Sequence, residues 1–159
     1  MPEPEAAELL ASCCGSSRWV TAMLARRPFR SRNQLLEAAG DVWGSLDPGD
    51  WREAFSHHPR IGERTGTVPQ TARGAAWSAG EQAGMDSAGE NLKNELVAVN
   101  REYEARFGFV YVVCATGKTA DEMLDLARAR LRNEAGIELA TAAKEQEKIM
   151  RIRLEKVFS

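Results

Sequence analysis

One run in this chain, GFVYVVCATG at residues 108 to 117, is β-branched and aromatic in the way buried strands are. No second run of similar quality exists for it to pair with. A lone strand leaves its backbone N–H and C=O groups unmatched, which burial does not tolerate. The run is therefore expected as buried extended or irregular chain, and the remainder as helix. The sequence reads as all-α, a single compact multi-helix domain over residues 1–159.

The other segments carry helical periodicity. Residues 5–14 and 17–26 form two short helices parted near Gly15, the second with Trp19, Val20 and Met23 inward. Residues 31–46 form a third, with Leu35, Leu36, Ala39 and Val42 on one side. Asp50 is the expected cap of a turn through Trp51, Ala54 and Phe55. That turn delivers His57 and His58 to Pro59, which disfavours helix in the residue before it. Over 91–107, Leu92, Leu96, Val99, Tyr103 and Phe107 recur at steps of four, three, four and four. Thr119 and Glu122 form a capping box that opens another helix.

The segment 138–158 places Leu139, Ala142, Ala143, Gln146, Ile149, Met150, Leu154 and Val157 on one stripe. Lys144, Glu147, Lys148, Arg151 and Glu155 fall opposite. Arg153 breaks the pattern by falling near the centre of the apolar stripe. A cation there needs a partner, because burying an unpaired charge is costly.

A net charge of −2, from 21 basic and 23 acidic residues, argues against a broad nucleic-acid or anionic-membrane surface. No stretch approaches the roughly 18 apolar residues of a membrane span, and the first residues are acidic where a secretion signal would be basic. The expectation is a soluble, cytoplasmic protein with a small-molecule partner. Cys13, Cys14 and Cys114 are an odd set without C-x-x-C spacing, and read as reduced thiols with Cys114 buried.

Both histidines of the chain stand side by side at 57 and 58. A histidine ending a helix can simply interact with the last carbonyls. Here, however, Pro59, Arg60 and Gly62 follow at once. They open residues 59–76, an aperiodic stretch with three glycines and two prolines. Loops of that length in a compact domain are functional or disordered. Ser78 with Glu81 is a capping box, which explains both structurally. Glu81 and Gln82 can also meet N–H groups of a polar heterocycle. Arg153 is either an inward ion pair or a fork-shaped cation for a carboxylate or carbonyl. Metal spacings and a complete phosphate loop are absent: "GKT" at 117 to 119 lacks the glycine five residues upstream.

Taken together, "HPRIG" at 58–62, "WSAGEQAG" at 77–84, "NREYEARFGFVYVVCATGKTADEML" at 100–124 and "EQEKIMRIRLEKVF" at 145–158 resemble the 2-oxo-4-hydroxy-4-carboxy-5-ureidoimidazoline (OHCU) decarboxylases. The opening "LLASCCGSSRWVTAMLARRPF" is similar to bacterial members, so the likeness covers nearly the whole chain in order. It implies an all-helical enzyme of urate degradation that converts OHCU to (S)-allantoin and CO2 without metal or organic cofactor. By motif position it implies His58 and Glu81 as catalytic residues, with Pro59, Ser78, Gln82 and Arg153 binding substrate. Phe109, Val113 and Cys114 are implied as further contacts, partly through backbone. His57 stands where a small residue is expected before the catalytic histidine. The competing reading is a non-catalytic helical module that binds ureides on the same fold. An exposed apolar strip on an early helix would allow a homodimer.

Overall fold

The structure is a computed structural model that describes residues 1–60, 77 and 89–157. These residues form seven helices and no strand. They are α1 (Glu3–Cys13), α2 (Ser17–Ala25), α3 (Arg32–Gly44), α4 (Pro48–Ser56), α5 (Glu90–Phe107), α6 (Ala120–Arg130) and α7 (Ala135–Val157).

Local chemistry sets most of the ends. Ser16 and Ser31 cap α2 and α3 by accepting the backbone N–H groups of Trp19 and Gln34. Thr119 and Glu122 make the expected reciprocal box on α6. The cap of α4 is Asp47 rather than Asp50: Pro48 occupies the first helical turn, where its missing N–H costs nothing. Asp50 instead sits one turn in and accepts the Asp47 N–H at 3.2 Å. The last helix begins at Ala135, three residues before the expected start at 138.

The longest helix is the axis of the packing. Helix α7 touches α1, α3 and α4, while α2 bridges α1, α3 and α4, and α5 pairs with α6. Its stripe is buried at Ala142, Ala143, Gln146, Ile149, Met150 and Leu154, and Arg153 is buried with it. The two buried tryptophans are tied down by their indole N–H groups, Trp19 to the Ala39 carbonyl and Trp43 to that of Ala143. Among the described residues, the large apolar side chains left exposed are Met1, Leu126 and Ile137. On the early helices Leu10, Met23, Leu35 and Leu36 point into the core, while Leu9, Val20 and Leu24 are half-buried.

The strand-like run forms neither helix nor strand and is buried at Phe109 and from Tyr111 to Ala115, as expected from its lack of a partner. Gly108 in the left-handed region (φ +81°) closes α5 and turns the chain into it. Side chains then supply the hydrogen bonds a neighbouring strand would give. Arg130 donates to the Val112 carbonyl at 2.7 Å, the Cys114 N–H donates to Glu145, and Lys118 donates to the Cys114 carbonyl. Tyr111 donates its hydroxyl to the Met123 carbonyl.

Beneath this segment lies a polar knot that the sequence did not announce. Glu138, 0% exposed, accepts hydrogen bonds from Arg130, Tyr103 and Asn133. The Arg130 guanidinium also lies 4.8 Å from the Tyr111 ring centroid. Burial pushes the Tyr103 and Tyr111 hydroxyls well above their ordinary range, so both remain protonated donors.

Candidate active site

Helix α4 carries the two histidines to the edge of the core. Its final turn tightens, with the His57 N–H donating to the Ala54 carbonyl and the His58 N–H to that of Phe55. His57 is the C-cap, and His58 begins the non-helical chain at the buried Pro59. Arg60 anchors the exit by donating to Glu104 of α5 at 2.7 Å. The stop before Pro59 therefore fixes where the imidazole of His58 stands.

Four elements meet there. A cleft of about 720 Å³ is lined by Ser12 of α1, Gly15 to Ser17, Val20 and Thr21 of α2, both histidines, and Arg153 of α7. Arg153 is 5% exposed and donates to the Ser12 carbonyl at 3.0 Å, satisfying an acceptor in the last turn of α1. Its guanidinium carbon also lies 5.9 Å from the Trp77 ring centroid. The cation that interrupts the apolar stripe thus has a buried anchor and a place on the cleft wall.

His57 and His58 occupy this wall in different ways. His57 packs so closely on Gly15 that a Cβ at that glycine would sit 2.6 Å from Cγ of the ring. His58 instead turns toward α7, where its Nε2 lies 2.5 Å from Oε1 of Gln146. Burial, then the Arg153 charge and His57, push the His58 pKa down to about 3 against the opposing pull of the Gln146 hydrogen bond. At neutral pH the ring is uncharged, and burial and Arg153 both disfavour its protonated form.

The other expected site residues divide into two groups. Phe109, Val113 and Cys114 are buried but lie outside the described lining of the cleft. The Phe109 ring packs 5.2 Å from Phe55 and 5.8 Å from Tyr103. Cys114 connects to the site through α7: Glu145 accepts its N–H, and the next residue, Gln146, holds His58. Burial raises the Glu145 carboxyl, but the hydrogen bonds from Lys148 and Cys114 outweigh it and hold the group ionised. Ser78, Glu81, Gln82 and most of 59–76 lie outside the described residues. Cys13, Cys14 and Cys114 are buried free thiols. Burial pushes the Cys14 thiol up to about 12, which disfavours the nucleophilic thiolate.

Sequence reasoning placed Gln146 on the apolar stripe without seeing its partner, took Gly15 only as a break between helices, and passed over Ser12. Only a wheel comparison of α7 with the end of α4 would have hinted that a buried amide faces the histidine corner.

Known proteins resemble this chain along its length. The family model described as OHCU decarboxylase matches residues 1–155. The chain is 36% identical over 149 residues to the uric acid degradation bifunctional protein TTL of Arabidopsis thaliana, covering 92% of this chain and 45% of that protein. It is 31% identical over 135 residues to the 2-oxo-4-hydroxy-4-carboxy-5-ureidoimidazoline decarboxylase of Amia calva, covering 83% of this chain and 75% of that one. A crystal structure of OHCU decarboxylase in the presence of (S)-allantoin superposes with a TM-score of 0.82 at 31% identity, over 95% of this chain and 97% of the other. The chain spans less than half of the Arabidopsis relative, but nearly all of that solved chain. With the match running from the first helix to the last, the chain belongs to the OHCU decarboxylase family.

Proposed function

We propose that this protein decarboxylates OHCU to (S)-allantoin in the breakdown of urate. The observation that carries this is a neutral imidazole, His58, and a buried guanidinium, Arg153, on the wall of one cleft in a chain of this family. When the bond from the ring to the carboxylate breaks, CO2 leaves without its electron pair. That pair spreads over the neighbouring carbonyl and imine groups as an enediolate-like anion. Two protons must then be placed: one from solvent on the former imine nitrogen, and the hydroxyl proton, moved to one face of the ureido-bearing ring carbon as the hydroxyl becomes a carbonyl.

His58 supplies that traffic. As a neutral base it accepts the hydroxyl proton while the anion forms, and as the resulting imidazolium it returns a proton to the ring. Acid–base help of this kind is worth roughly 10²–10⁴-fold. Arg153 offers paired donors to a carbonyl or carboxylate oxygen, where negative charge builds. Glu81 and Gln82 take the ring or ureido N–H groups, and Ser78 and Pro59 add further contacts to the substrate; motif position supports these four roles. No metal or organic cofactor has a part in this scheme.

The test is release of labelled CO2 from carboxyl-labelled OHCU, freshly generated from urate. Release well above the spontaneous rate supports decarboxylation. Tight binding of allantoin with release at the spontaneous rate would instead show a ureide-binding module without activity.

A further inference from the structure

Gln146 is a poor choice if only stability is considered. It lies on the buried stripe of α7, 0% exposed, between Ala142, Ala143, Ile149 and Met150. Its Nε2 is buried with no hydrogen-bond partner. A buried amide donor left unmatched weakens a fold, whereas a leucine or methionine would fill the same volume without that cost. What the amide does have is one contact: Oε1 at 2.5 Å from Nε2 of His58. An amide oxygen can only accept, so the imidazole must donate from Nε2. In a neutral imidazole that leaves Nδ1 as the unprotonated nitrogen.

We propose that Gln146 is a positioning residue that fixes His58 as the Nε2–H tautomer and so makes Nδ1 the basic nitrogen of the site. This rests on the decarboxylase reading for its consequence, but not for its geometry. The arrangement also explains why the neighbouring residue matters. Glu145 grips Cys114 while Gln146 grips His58, so one turn of α7 sets the buried non-helical segment and the imidazole in register. The role is exerted through His58, and Gln146 need not touch substrate. Turning the amide over would make its Nε2 the donor and select the opposite tautomer, which gives the proposal a sharp alternative.

With only two histidines in the chain, nitrogen NMR on the ¹⁵N-histidine-labelled protein resolves the question, His57→Gln serving to assign the signals. The expected result is a pyrrole-type Nε2 and a pyridine-type Nδ1 for His58 in the wild type at neutral pH. Gln146→Leu should fold with undiminished thermal stability, average the two nitrogens, and lower kcat by about 10²-fold while changing KM little, the scale of loss from a misplaced catalytic group. Gln146→Glu, which keeps an oxygen acceptor at the same reach, should retain the Nε2–H form and recover most of kcat in alkaline buffer. A pyridine-type Nε2 in the wild type, or an unchanged kcat in Gln146→Leu, would overturn the proposal. The ring signals require no substrate. Expected signals in a protein that does not decarboxylate would therefore count against the proposed function and leave the tautomer assignment standing.

Discussion

A Cβ at Gly15 would lie 2.6 Å from Cγ and 2.8 Å from Cβ of His57, closer than packed atoms come. The turn between α1 and α2 and the end of α4 are thereby locked together at the rim of the cleft. Gly15→Ala must displace His57 or the turn, and overpacking of this kind costs about 1–3 kcal/mol. Urea unfolding should show that loss. His57→Ala in the same chain should recover only part of it, since the contacts to Cγ and Cδ2 vanish but the His57 Cβ remains.

The two histidines should separate functionally. His57 packs against a glycine, whereas His58 holds the neutral ring beside Arg153. Replacing His58 by Asn should reduce kcat by roughly 10²–10⁴-fold, the usual worth of a general acid–base group. Replacing His57 by Ala should cost far less. Steady-state rates on freshly made OHCU decide this, and equal losses would refute the division of roles.

Acid should weaken the fold through His58. Its pKa stands near 3 in the folded protein against 6.5 when unfolded, so below about pH 6.5 the unfolded chain binds the extra proton more readily. Stability should therefore fall as pH drops from 6.5 toward 3, where the native ring at last charges. His58→Asn removes this contribution. Its melting temperature should decline less than that of the wild type between pH 6.5 and 5, before most carboxylates titrate.

The buried Arg130–Glu138 pair predicts a larger structural effect. Glu138→Gln leaves a guanidinium that is 7% exposed without its charged partner. Breaking one side of such a pair costs about 3–5 kcal/mol. Because Arg130 also holds the Val112 carbonyl, hydrogen exchange of the 108–117 segment should quicken in this variant. Unchanged unfolding in urea would show that the knot is not structural.

Residues around these predictions show why parts of the molecule were legible and parts were not. Periodicity located the helices because each buries one stripe, and Arg153 was visible because its angle conflicts with its charge. The same test would have marked Arg130, which stands seven residues after buried Met123, about 20° short of two full turns. Glu138 likewise shares its face with Ala142 and Ile149. Their partnership was hidden because it joins different helices through Tyr103 of a third. The shift of the α4 cap from Asp50 to Asp47 reflects two acids three residues apart, both able to cap, with Pro48 deciding between them. The lone strand-like run was readable as buried, whereas the side chains that satisfy its backbone were not. The link from His58 to Gln146 spans 88 residues of sequence and had no local sign.

The most direct measurement follows the circular dichroism of allantoin as it forms from fresh OHCU, with the wild type and His58→Asn run side by side. Wild type should give the (S) enantiomer rapidly, and His58→Asn should approach the slow, racemic course of the uncatalysed reaction. Racemic allantoin at the spontaneous rate from the wild type, or rapid (S)-allantoin from His58→Asn, would contradict the role assigned to this imidazole.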